Sequence, residues 1–288
     1  VATATPTQPP ARAIAPSATP LALWHLLSLD APTVAVLWTW FIASANHLQL
    51  PLTSTLSMAL AVWMLYAADR LMDTRLINAS QQDLEARHLF HHRHRTPFLG
   101  GILLASTALA ALLPRLEPPA IHLYLILGVL LSGYFILIHA TNSAHRLPKE
   151  IAVGLFFAAA TYIPTVARRP DLRLTLLPSA ILFAALCSLN CLFIYAWEHP
   201  SATHRTHPIT RAALKNLHKL TILLILASLA LLLFDPRSPR PIALAIALST
   251  TLLILLNTRR NSTNPITLRA AADLALTTPL VLLPLLHR

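Results

Sequence analysis

Nine apolar runs separated by polar connectors decide what this chain can fold into. They fall at about 31–45, 52–73, 98–113, 120–140, 151–166, 174–197, 217–234, 242–256 and 266–286. A helix needs about 20 apolar residues to cross the hydrocarbon core of a bilayer, and several of these runs approach that length. Lipid offers no partner to a backbone amide or carbonyl, so each run is read as a helix that bonds to itself. Composition agrees: 55% of the 288 residues are hydrophobic and 11% are charged, where a soluble domain carries about 25% charged residues. The expectation is an all-α integral membrane protein in a lipid bilayer, with one multi-pass domain over 21–288. Residues 1–20 are rich in Pro, Ala and Thr, have one charge, Arg12, and lack the apolar core of a signal peptide; they are read as a disordered tail.

The formal net charge of +11 has no soluble basic domain to carry it, so nucleic acid is not an expected partner. In a membrane protein the excess sets topology, meets anionic head groups or binds an anionic substrate. Alternate connectors collect most of the cations, among them Arg75, Arg93, Arg146, Lys149, Arg211 and Arg269. The positive-inside rule places that side, and the N-terminus, in the cytoplasm and the C-terminus outside. A bacterial inner membrane is the expected location. With five glycines, a glycine-rich phosphate loop or dinucleotide fingerprint is absent.

The second run ends in WMLYAADRLMDTR, 63–75, where Asp69 and Asp73 stand one helical turn apart on one face. Two carboxylates at the edge of a hydrocarbon slab are costly and repel each other. Together they suit a hard cation, most naturally Mg²⁺; the alternative is a solvated helix end. The sixth run ends similarly in NCLFIYAWE, with Asn190, Tyr195, Trp197 and Glu198. Each is followed by a long connector rich in Arg and His. That recurrence is expected where two similar helical units face a shared site.

This pattern resembles the UbiA superfamily of intramembrane prenyltransferases. Its members have nine spanning helices around a central cavity and two aspartate-rich motifs, after the second and sixth helices. The first family motif, N-D-x-x-D-x-x-x-D, aligns with Leu65 to Asp73: Asp69, Arg70 and Asp73 keep its D-R-x-x-D core, while Leu65 and Tyr66 replace the leading Asn and Asp. In the second motif the aspartates reduce to Glu198, with Asn190 upstream and the aromatic lead-in Ile194-Tyr195-Ala196. The resemblance implies Mg²⁺ held by Asp69, Asp73 and Glu198, which are also the catalytic carboxylates. It implies an isoprenoid diphosphate bound by Arg70, Lys149, Asn190, Tyr195, Arg205 and Arg211, and a small lipophilic or aromatic acceptor. Trp63, Tyr134, Phe135, Tyr162 and Tyr195 are candidates for facing the prenyl tail. Cyclisation of the diphosphate without an acceptor is an alternative within the fold, and a transporter or metal-handling membrane protein is an alternative outside it.

Other residues have local readings. Cys187 and Cys191 are expected to fill the core. The tract Arg87 to Arg95 carries His88, His91, His92 and His94, and its interleaved arginines favour a basic lid over an anionic head group rather than a metal site. Asp273 follows Arg269 by four residues, and a local Arg269–Asp273 pair is expected to satisfy it.

Overall fold

The computed structural model of the protein describes residues 19–73, 86–140, 148–199 and 206–286. Among the described residues there is no strand. Twelve α-helices follow one another: α1 (Pro20–Leu26), α2 (Asp30–Ala45), α3 (Leu52–Asp73), α4 (Ala86–Arg93), α5 (Arg95–Leu112), α6 (Pro118–Ala140), α7 (Lys149–Arg168), α8 (Arg173–Glu198), α9 (Pro208–Lys215), α10 (Leu217–Phe234), α11 (Arg240–Thr258) and α12 (Pro265–Ala275). A 3₁₀ segment, Thr278–Leu285, completes the last apolar run.

All nine apolar runs are helical, and seven helices are long and apolar enough to cross a membrane. The two that fall short do so for different reasons. Pro118–Tyr134 is apolar but shorter among the described residues. The first run belongs to a bent pair, α1 and α2, whose axes differ by 89°. Ser28 makes that bend with φ 58°. Its amide bonds to the His25 carbonyl at 3.1 Å and the Leu29 amide to the Trp24 carbonyl at 3.0 Å, the paired bonds of a Schellman stop. Glycine usually takes that left-handed position because it has no Cβ; this glycine-poor chain uses Ser28, and His47 at the end of α2.

Packing is organised around α8. It lies against α7, α10, α11 and α12, and α2 closes the core through Trp38, Phe41 and Ile42, all fully buried. Trp38 packs on Phe183 at 4.2 Å between ring centroids, and its indole N–H donates to the Leu276 carbonyl at 2.7 Å. Buried aromatics of this kind need a partner for their one polar atom. The helices alternate in direction. Arg168 at the end of α7 pairs with Glu117 at 2.6 Å and donates to the Gln49 carbonyl at 2.5 Å, which clasps one end of the bundle. The starts of α2, α7 and α12 and the ends of α3 and α8 gather at the other. Large apolar side chains such as Leu103, Leu104, Val129, Leu174 and Phe234 face outward, as the lipid-facing surface of a membrane protein does.

Helices α7 and α8 cross closely. A Cβ on Gly154 would meet the Ser188 hydroxyl, the Ser188 amide nitrogen at 2.5 Å and the Ala184 carbonyl at 2.9 Å. Small residues let helix backbones approach in this way. Gly154→Ala therefore forces the two helices apart, and overpacking of this type costs about 1–3 kcal/mol. The expected result is a lower thermal midpoint of the purified protein in detergent; an unchanged midpoint would contradict the close crossing.

Candidate functional site

Two layers of polar groups lie at the end of the bundle where α3 and α8 finish. The outer layer consists of carboxylates that each have a partner. Asp69 on α3 meets the Lys149 ammonium, the first residue of α7, at 3.5 Å. Glu198, the last residue of α8, pairs with Arg269 of α12. Glu150 accepts a hydrogen bond from the Thr210 hydroxyl of α9 at 3.0 Å. The arrangement follows from register: antiparallel neighbours bring the end of one helix beside the start of the next, so acidic ends meet basic starts.

The inner layer begins with Arg70, which turns away from Asp69 and into the protein. Its guanidinium donates to the His25 carbonyl at 2.6 Å and to the Asp30 carboxylate at 3.2 Å. The His25 ring nitrogen Nδ1 lies 2.5 Å from the same Asp30 oxygen, and the other Asp30 oxygen accepts the Ala31 amide at 3.0 Å. All three side chains are buried. Asp30 opens α2, where a negative charge complements the helix dipole. Across the bundle, Asn190 of α8 donates its amide to Asp273 of α12 at 2.9 Å. A small cavity of about 30 Å³ lies between α2, α3, α7, α8 and α12, lined by Ala31, Val34, Tyr66, Val153, Phe157, Cys187, Asn190, Cys191, Asp273 and Leu276. Tyr66 precedes Asp69 by three residues and Val153 follows Lys149 by four. The cavity wall is thus one helical turn inside the outer ion pair.

The sequence-based candidates divide between these layers. Asp69, Lys149 and Glu198 stand in the outer layer and Asn190 in the inner one. Arg70 is buried against Asp30, so its charge is committed within the protein. Tyr195 stacks on His199 at 4.6 Å between ring centroids, and Arg211 donates to the Thr206 carbonyl at 3.1 Å. Arg205 and the side chain of Asp73 lie outside the described residues. The expected Arg269–Asp273 pair is not formed: Arg269 reaches across to Glu198, and Asp273 turns to Asn190. Both partners come from α8, because α8 and α12 pack side by side and an interhelical partner is nearer than one on the same helix.

Two further expectations shift. His91 belongs to no surface lid; it is fully buried, 3.3 Å from the Ser28 hydroxyl and stacked on Phe98 at 4.4 Å. Trp63 and Tyr162 spend their polar atoms on the Leu27 carbonyl and the Ser179 hydroxyl, away from the cavity, whose aromatic walls are Tyr66 and Phe157. His25 and Asp30 were not singled out from the sequence. Asp30 carries the signal that drew attention to Asp69, a carboxylate at the boundary of an apolar run.

The donor sets distinguish two kinds of cation chemistry. Among the described residues, the group of three His, Cys, Asp or Glu ligand atoms lying within 4.8 Å of one another is His25, Asp30 and Asp273; Asp69 and Glu198 join no such group. Mg²⁺ seldom uses an all-protein cage, and one or two carboxylates plus substrate phosphate suffice. A half-buried Asp69 paired with one lysine fits that mode. No family model, curated protein or solved structure matches this chain.

The Arg70–Asp30 pair supports a direct test. Removing one partner of a buried ion pair leaves an uncompensated charge and costs about 3–5 kcal/mol. Arg70→Met is expected to lower the thermal midpoint sharply, and Arg70→Met with Asp30→Leu to recover much of the loss. Equal midpoints for Arg70→Met and the unaltered protein would contradict the buried pair.

Proposed function

We propose that this protein is an Mg²⁺-dependent intramembrane prenyltransferase of UbiA-like, nine-span architecture, moving an isoprenyl group from an isoprenoid diphosphate to a small lipophilic, often aromatic, acceptor. The observation that carries the reading is the Asp69–Lys149 pair at the end of a bundle of apolar helices, charged groups outside and apolar walls within. An amphiphile with an anionic head and an apolar tail matches that sequence of environments. The charge pattern of the connectors supports a cytoplasmic N-terminus, an external C-terminus and a bacterial inner membrane.

In this reading the outer ion pairs are resting partners. When a diphosphate arrives, Lys149 and Arg269 turn from Asp69 and Glu198 to phosphate oxygens, arginine as a fork and lysine as a point charge. Asp69, Asp73 and Glu198 would then be free to hold Mg²⁺, which would supply charge neutralisation for the departing diphosphate. The bond between the allylic carbon and the diphosphate oxygen breaks, and its electron pair leaves with the diphosphate. Apolar walls exclude water from the carbocation. The acceptor then forms a bond to that carbon and releases a proton. Asn190, Tyr195, Arg205 and Arg211 complete the substrate-binding set.

A second reading, an ion-handling membrane protein, is favoured by the buried His25–Asp30–Asp273 group beside the bend of the first span. Thermal midpoints with Mg²⁺ and geranyl, farnesyl or longer diphosphates separate the two. The prenyltransferase reading expects a rise of several degrees that peaks at one chain length. It expects Asp69→Ala or Asp73→Ala to abolish Mg²⁺-dependent diphosphate release, and Lys149→Ala to raise KM about tenfold, the loss of one charged contact. Full turnover in both aspartate variants would overturn the assigned site. Product formation from the diphosphate alone would reassign the reaction as cyclisation.

A further inference from the structure

Asp273 and Asn190 are left incomplete by the protein around them. Asp273 has the Asn190 amide as its hydrogen-bond donor, and no Lys or Arg among the described residues forms an ion pair with it. The two nearest candidates are taken: Arg70 by Asp30 and Arg269 by Glu198. Asn190 is 6% exposed, and its carbonyl oxygen is buried without a hydrogen-bond partner. Donation to Asp273 fixes which end of that amide carries the oxygen, so the unmet group is an acceptor. Tyr66, on the wall of the same cavity, makes no hydrogen bond within the described residues. An unmet buried acceptor is costly, and a half-buried carboxylate without a cation beside it is costlier.

We propose that this cavity holds a monovalent alkali cation, Na⁺ or K⁺, on the Asp273 carboxylate, the Asn190 carbonyl oxygen and the Tyr66 hydroxyl. Oxygen donors of this kind suit hard cations. Charge selects one unit: with the His25 imidazole neutral, the neighbouring carboxylates Asp30 and Asp273 and the one guanidinium Arg70 leave a single negative charge. A divalent ion would leave excess positive charge beside a buried guanidinium. Size selects a small ion with at most a water or two beside it, since the cavity measures about 30 Å³ and a water takes about 10–15 Å³ on the same measure. A water would give the acceptors a donor but leave the carboxylate charge unmatched.

Backbone placement agrees. Helix α12 ends at Ala275, two residues after Asp273, and Leu276 lines the cavity. A helix C-terminus carries partial negative charge, and interrupted spanning helices place such ends at cation sites inside membranes. The positive N-terminus of α2, also adjacent, is already capped by Asp30.

The site lies a turn inside the Asp69–Lys149 pair and shares Asn190, but not its test, with the prenyl-diphosphate reading. It is tested on the full chain in detergent, with NaCl, KCl or choline chloride at one ionic strength. The expected result is a thermal midpoint about 5 °C higher in NaCl or KCl than in choline chloride, with the better ion identifying the natural occupant. Radioactive sodium or rubidium should bind at about one ion per chain and be displaced by the unlabelled salt. Asp273→Asn and Asn190→Leu should abolish binding, and Tyr66→Phe should weaken it about tenfold, the loss of one ligand contact. Equal midpoints in all three salts without stoichiometric binding overturn the proposal. So does stabilisation by divalent ions alone, or undiminished binding by Asp273→Asn. Should that variant fail to fold, the unaltered protein and Tyr66→Phe decide the matter by the same counts.

Discussion

The buried contact of Arg70 with Asp30 and the His25 carbonyl ties three helices that share no continuous path. Short α1 contributes the carbonyl, α2 the carboxylate in its first turn, and α3 the guanidinium three residues from its end. Each group would be costly alone in an apolar bundle. Together they hold the 89° bend of the first span against the end of the second. That bend keeps the start of α2 at the wall of the cavity, where Ala31 and Val34 stand. The contact also removes Arg70 from the surface, so the outer layer of charge is left to Lys149 and Arg269.

The polar end of the bundle is therefore graded. Outermost are accessible ion pairs whose partners a charged ligand can take over. One turn inside, the groups are buried or half-buried, and the Asn190 carbonyl oxygen is left without a hydrogen-bond partner. The first layer suits reversible capture of an anionic head group, because exchanging one partner for another costs little in net hydrogen bonding. The second suits a small occupant, since oxygen acceptors there line a cavity of about 30 Å³. The prenyltransferase proposal rests on Asp69, Lys149 and Glu198 and the cation-site proposal on Asp273 and Tyr66, with Asn190 common to both.

Much of this was legible before any coordinates. Asp69 and Glu198 stand out as carboxylates at the boundary of an apolar run, and Lys149 and Asn190 through the resemblance to a prenyltransferase family. The same question applied to Asp30 would have found it too. His91 was misjudged because its neighbours are basic, and burial of one residue in a polar tract depends on which helix faces it. Tyr66 was judged by the motif position it departs from, and its place on the cavity wall follows from its being one turn before Asp69 on the same face. Arg269 and Asp273 were paired by spacing along one helix, a rule suited to an isolated helix and overridden here by a packed neighbour.

Hydropathy alone makes the chain a bundle of apolar helices with its charged groups near helix ends. An apolar stretch in lipid satisfies its backbone within a helix, and charged residues lie near its ends. Which charges meet depends on tertiary packing. Helix register sets depth along the bundle to within a turn, but partners are chosen by rotation and by which helices are adjacent, and those depend on close crossings such as Gly154 on Ser188. Register placed Asn190 and Asp273 at similar depth. Packing put them face to face and left the Asn190 carbonyl oxygen without a hydrogen-bond partner.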